Sequence, residues 1–214
     1  MDNGLTVSVS FEMDQGTANN SSLGFDSHSV TVSSDTMGSL TLAGHGGNSA
    51  TTAIDTTAAG DMWDNFDGLV VLGGTTLADA AIGSGGVNNS FFYTSPDLMD
   101  GLTLTLGYDP QVENASATGT DGQVSYGVNY SGVDGLSVSF ATSDINDHSA
   151  NASGTNTVMK ASYAYGPVTV AVSEMEHDET LSTGASDTTI TSYALTYTVS
   201  DELSVTYGSE TSDR

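Results

Sequence analysis

The chain has 214 residues and a 37% apolar content, enough for one large all-β domain and below the apolar share of an ordinary globular core. Its 27 acidic residues face two basic ones, Lys160 and Arg214, for a net charge of −25. That charge excludes nucleic acid as a partner and favours cations, including divalent ones. Sustained alternation argues against disorder in spite of the charge. Cysteine is absent. No stretch approaches the ~20 apolar residues of a membrane-spanning helix, and Met1-Asp2-Asn3 opens no signal peptide.

Residues 5–13 alternate strictly: Leu5, Val7, Val9, Phe11 and Met13 share one face, and Thr6, Ser8, Ser10 and Glu12 the other. Such a period of two predicts a strand. Shorter strands are expected near 28–34 (Val30, Val32) and 39–44 (Leu40, Leu42), around a turn at Asp35-Thr36-Met37-Gly38. Residues 45–86 then break the rhythm with a Gly-rich start, an Ala/Thr run, the single tryptophan (Trp63) and a group of aspartates. A loop of this length inside one domain is either functional or a sign of misassigned elements.

Strand rhythm resumes at residues 89–93 and becomes a repeat. Segments opening at Leu102, Leu136, Val168 and Leu203 are spaced 34, 32 and 35 residues apart. Each follows a partner strand and a turn of a few residues, and each precedes a longer polar connection, near 110–121, 143–156 and 177–189 for the internal ones. About eleven strands are predicted, with no helix outside the long loop. Short turns at one end and long loops at the other describe an up-and-down antiparallel β-barrel. Low apolar content fits a sheet whose second face is wet.

Tyrosines reinforce this reading. Tyr93, Tyr130, Tyr165 and Tyr197 stand just before the short turns, whereas Tyr108, Phe140 and Tyr207 are expected nearer the long loops. Two aromatic girdles flanking an aliphatic band are the pattern of a transmembrane barrel; tyrosine is also a common strand residue.

Asn89-Ser90-Phe91-Phe92-Tyr93-Thr94-Ser95-Pro96, followed by Gly101-Leu102-Thr103-Leu104, resembles the strand and turn that follow the constriction loop in Gram-negative general porins. Upstream, Met37-Gly38-Ser39-Leu40-Thr41-Leu42-Ala43-Gly44 resembles the strand leading into that loop. The likeness runs over nearly the whole chain. It implies a sixteen-stranded outer-membrane barrel, usually a homotrimer, embedded in outer-membrane lipid and passing small hydrophilic solutes and ions by diffusion. The whole of 1–214 would then be a single porin-type domain, with 45–86 as its in-folded constriction loop. Eleven strands fall short of sixteen, since eight hairpins need about 270 residues at this spacing. The chain therefore reads as an internal part of such a barrel, incomplete at both ends, with a closed barrel of about twelve strands as the smaller solution.

Asp61, Asp64 and Asp67 recur every third residue, with Asp55 upstream. In a short helix the three would share a face, and a lumen lined this way attracts cations and repels anions. Lys160 is opposite in phase to Met159 and Ala161, which puts it on the lumen side, facing those acids. A solvated acidic loop is the plainer explanation of the same residues. Their spacing does not match a calcium-binding loop, so the expectation is no cofactor, with at most weakly held Ca²⁺. The histidines (His28, His45, His148, His177) lack metal-ligand spacing. No nucleophile elbow or acid pair suggests an enzyme. From another class, an acidic β-rich surface-layer, filament or adhesin protein would share the composition; the two differ in whether the apolar strand face meets lipid or is buried.

Overall fold

The computed structural model describes residues 4–13, 25–45, 47–54, 56–60, 89–110, 122–145, 154–179 and 187–213. Eleven strands follow in chain order: β1 (Thr6–Met13), β2 (Phe25–Ser34), β3 (Gly38–His45), β4 (Ser90–Thr94), β5 (Leu102–Asp109) and β6 (Gln123–Tyr130). They continue with β7 (Leu136–Ile145), β8 (Gly154–Tyr165), β9 (Val168–Glu179), β10 (Thr188–Ser200) and β11 (Leu203–Asp213). All lie in one sheet in sequence order, each antiparallel to the next. The sheet is open among the described residues, β1 and β11 each having a single neighbour.

Side-chain phase divides the sheet into two unlike faces. Cross-strand partners point to the same side, so the register carries the phase from one strand to the next. One face bears Val7, Val9, Val30, Leu40, Leu42, Leu104, Leu106, Val138, Met159, Val170, Leu195 and Val205, all exposed. No second layer covers this face among the described residues. The other face carries Ser, Thr, Gly and Asn, with hydroxyl pairs bonded across strands: Thr31 with Thr41 and Thr196 with Thr206, both at 2.8 Å. A sandwich would bury the aliphatic face; here it is left for lipid. Strands β8 to β11 run 12, 12, 13 and 11 residues. Each exceeds or matches the ~9–11 residues that a tilted strand needs to cross a bilayer.

Short turns join β2 to β3, β4 to β5, β6 to β7, β8 to β9 and β10 to β11, all at one end. They are stitched sideways as well: Ser131 N–H donates to Gly101 O and Ala164 N–H to Gly135 O, both at 2.8 Å, and Thr198 N–H to Pro167 O at 2.8 Å. Gly101 sits at φ +71°, and a Cβ there would meet the Gly132 nitrogen at 2.3 Å. Only glycine takes that backbone setting and that approach together.

The candidate girdle residues all lie in the outward phase. Tyr130 and Tyr165 are the last residues of β6 and β8, and Tyr93 is the penultimate residue of β4, its hydroxyl donating to Met37 O at 2.8 Å. Tyr197 lies three residues before the end of β10. Tyr108 stacks obliquely on Phe91, ring centroids 6.5 Å apart, near the long-loop end of β5. Phe140 and Tyr207 stand mid-strand instead, because β7 and β11 continue beyond them to Ile145 and Asp213. Strand length, invisible in the local alternation, sets that height.

Candidate functional site: a strap laid across the inner wall

After β3 the chain turns onto the polar face of the sheet. Residues 48–54 and 56–60 form a strap there. Its local folding follows from its hydroxyls. The Ser49 side chain accepts from Thr52 N–H at 3.2 Å, as a helix-capping serine does. Thr52 Oγ1 in turn accepts from Ser49 N–H and donates to Asn48 Oδ1, both at 2.8 Å. These bonds wind Thr52–Ile54 into a single 3₁₀ turn.

On both sides of the turn, the strap is tied to one strand after another. Ala50 N–H donates to Ser125 Oγ of β6 at 2.9 Å, and Thr51 Oγ1 lies 3.1 Å from Ser143 Oγ of β7. Ala50 and Thr51 are fully buried by this. Ile54 then packs on an apolar cluster of Val158, Met175 and Ile190 from β8, β9 and β10. Ala58 N–H donates to Ser173 Oγ of β9 at 2.9 Å, and Ala59 N–H to Ser192 Oγ of β10 at 2.8 Å. Thr57 Oγ1 donates to Glu210 Oε2 of β11 at 2.6 Å. Six consecutive strands are bridged in this way.

Two features of the wall make room for the strap. A Cβ on Gly127 would meet Ala50 Cβ at 3.3 Å, and one on Gly208 would meet Ala59 Cβ at 3.0 Å. The apolar cluster occupies the phase that elsewhere carries serine and threonine. Val158 pairs with Met175, and Met175 with Ile190, so the three side chains form one transverse row. Val158 and Met175 have 0% exposure, beneath the strap rather than in lipid. Two residues along each strand, on the same face, runs a second transverse row, Ser139–Lys160–Ser173–Ser192–Glu210. On the other side of the apolar row, Asn156 Oδ1 and His177 Nδ1 lie 2.6 Å apart.

Of the acids picked out in the sequence, Asp55, Asp61, Asp64 and Asp67 lie outside the described residues. Lys160 lies on the polar face of β8, half-buried, with Ser139 and Ser173 as its cross-strand partners. Sequence reasoning passed over the serines 125, 143, 173 and 192, the row Val158–Met175–Ile190, and Glu210. A signal for the row was available: each of its members breaks phase with the outward residues of its own strand, as Met175 does with Val168, Val170 and Val172. No group of three or more metal-ligating side chains is gathered among the described residues.

The arrangement is a hydroxyl-lined wall with a chain segment fastened to it, and lipid-compatible side chains on the reverse. A family model described as Gram-negative porin matches residues 1–214. Two solved structures, both triple mutants of the Rh. blastica porin, are similar to the chain. One has 14% identity and a TM-score of 0.45, covering 98% of this chain and 80% of its own. The other has 16% identity and a TM-score of 0.44 at the same coverage. No curated protein matches the chain. The chain belongs to the Gram-negative porin family, and is thus a channel protein of the bacterial outer membrane rather than an enzyme.

Proposed function

We propose that this porin is a passive diffusion pore for small hydrophilic solutes and ions, with a preference for cations, working as a homotrimer. The observation that carries this reading is the strap. Its fastening to the inner face of six strands supports treating 45–86 as the constriction of a single 1–214 domain. An eyelet of that kind selects by size and by fixed charge. The acids Asp55, Asp61, Asp64 and Asp67 belong to the same loop, and Lys160 is the basic residue proposed to face them. With 27 acids against two basic residues, the field near the wall also favours cations. Charge filtering requires no cofactor; Ca²⁺ held weakly by the acids would only screen them. Of the candidate girdle residues, Tyr93, Tyr130, Tyr165, Tyr197 and Tyr108, in the outward phase near strand ends, are proposed to sit at the lipid headgroups.

Replacing Asp61, Asp64 and Asp67 together by Asn should lower the cation-to-anion permeability ratio, read as the zero-current potential across a planar bilayer under a salt gradient. Adding the triple change should leave detergent-solubilised folding intact. An unchanged ratio would remove these aspartates from the selectivity filter.

A further inference from the structure

Glu210 is an inner-face carboxylate to which the diffusion reading assigns no task. It sits on β11, in the transverse row that also holds Lys160. Thr57, 7% exposed, gives its hydroxyl to Glu210 Oε2 at 2.6 Å, the short separation of a hydroxyl bonded to a carboxylate. The strap's ties to Ser125, Ser143, Ser173 and Ser192 use neutral hydroxyls, and this one uses a charged acceptor. Two residues along β11, Gly208 offers Ala59 no side chain to hold. Among the bonds described, the side-chain grip of β11 on the strap is that of Glu210. Thr57 O also accepts from Gly60 N–H at 3.0 Å, closing the last described turn before Asp61.

We propose that Glu210 is a positioning residue of the pore: a charged latch that fixes, through Thr57, the end of the strap against β11. The proposal rests on the diffusion-pore reading and adds to it the device that keeps the constriction in place. Loss of a hydrogen bond to a charged acceptor shifts the balance between seated and released strap by roughly tenfold or more.

Single-channel recording of the full chain separates this role from a direct contribution of the Glu210 charge. Thr57→Val removes the hydroxyl and leaves the carboxylate; Glu210→Gln removes the charge and keeps an acceptor oxygen; Glu210→Ala removes both. A latch predicts that Thr57→Val and Glu210→Ala each raise the frequency of conductance substates roughly tenfold, while Glu210→Gln, which keeps a neutral acceptor, has an intermediate effect. Combining Thr57→Val with Glu210→Ala should add little to either alone. If Thr57→Val matches the parent channel while Glu210→Gln and Glu210→Ala shift the permeability ratio equally, Glu210 acts by charge alone and the latch is overturned. Thr57 lies off the wall, so its substitution tests the latch even if changes at Glu210 impair folding. An anion-selective parent that still responds to Thr57→Val keeps the latch and removes only the cation preference.

Discussion

Met175→Ala should loosen the strap without breaking the wall. Met175 is fully buried between its cross-strand partners Val158 and Ile190, with Ile54 packed on the cluster. Truncating a buried methionine costs about 2–5 kcal/mol, according to how far the site can collapse. Here the β9 backbone ladder to β8 and β10 is untouched, so the loss falls on the contact between wall and strap. Since about 1.4 kcal/mol is a factor of ten, the released fraction of the strap should rise at least tenfold. Ile54→Asp should act more strongly, because it sets a carboxylate over three apolar side chains. Both variants should give higher mean conductance and faster proteolysis between residues 48 and 60 in detergent. Parent-like conductance together with parent-like proteolysis would show that the cluster does not hold the strap.

An arginine moved by one residue along β10 should have opposite consequences. Leu195 points outward and is half-exposed, in the middle of the apolar band. A cationic side chain on the lipid face costs about 2–4 kcal/mol near the bilayer midplane. Leu195→Arg should therefore sharply reduce the fraction of protein that folds into vesicles, measured by heat-modifiable gel migration. Thr196 points to the polar side, its hydroxyl 2.8 Å from that of Thr206. Thr196→Arg should insert as the parent does and move the zero-current potential towards anions. Equal insertion of both variants would contradict the assignment of faces.

The contrast between those neighbours explains why so much of the wall was legible in the sequence. Period-two alternation needs no knowledge of tertiary structure, since each residue's face follows from its neighbour's. Val168-Thr169-Val170-Ala171-Val172 declares both its faces unaided. The short turns were equally plain at Gly101 and Gly135, where φ is positive. Strand β4 was harder: Phe91 and Phe92 adjoin in sequence, yet Phe91 pairs with Tyr108 on the outward face and Phe92 with Gly107 on the inner one.

The strap was legible only as an interruption. Its ties join residues far apart in the chain, 75 positions for Ala50 and Ser125 and 153 for Thr57 and Glu210, and no local periodicity encodes such pairs. Ser125, Ser143, Ser173 and Ser192 looked like any other lumen-side polar residue. Glu210 looked like one more acid in a chain of 27. Val158, Met175 and Ile190 did leave a trace, as apolar residues in the polar phase. Read together across β8, β9 and β10, they mark where something apolar must come to rest. The aspartates drew attention by their spacing, although it was the quieter segment before them that carries the contacts described.

Seating of that segment on the inner face is the claim from which the rest follows, and the absence of cysteine makes it directly measurable. Thr51 and Ser143 have their side-chain oxygens 3.1 Å apart, whereas the adjacent Thr142 pairs with Tyr126 in the outward phase. Cysteines placed by Thr51→Cys with Ser143→Cys should form an intramolecular disulfide on mild oxidation in the membrane-inserted protein, visible as a shift in unreduced migration. The same treatment of Thr51→Cys with Thr142→Cys should leave both thiols free. Failure of the first pair to close, or equal closure of the two, would contradict a strap fastened across the inner wall.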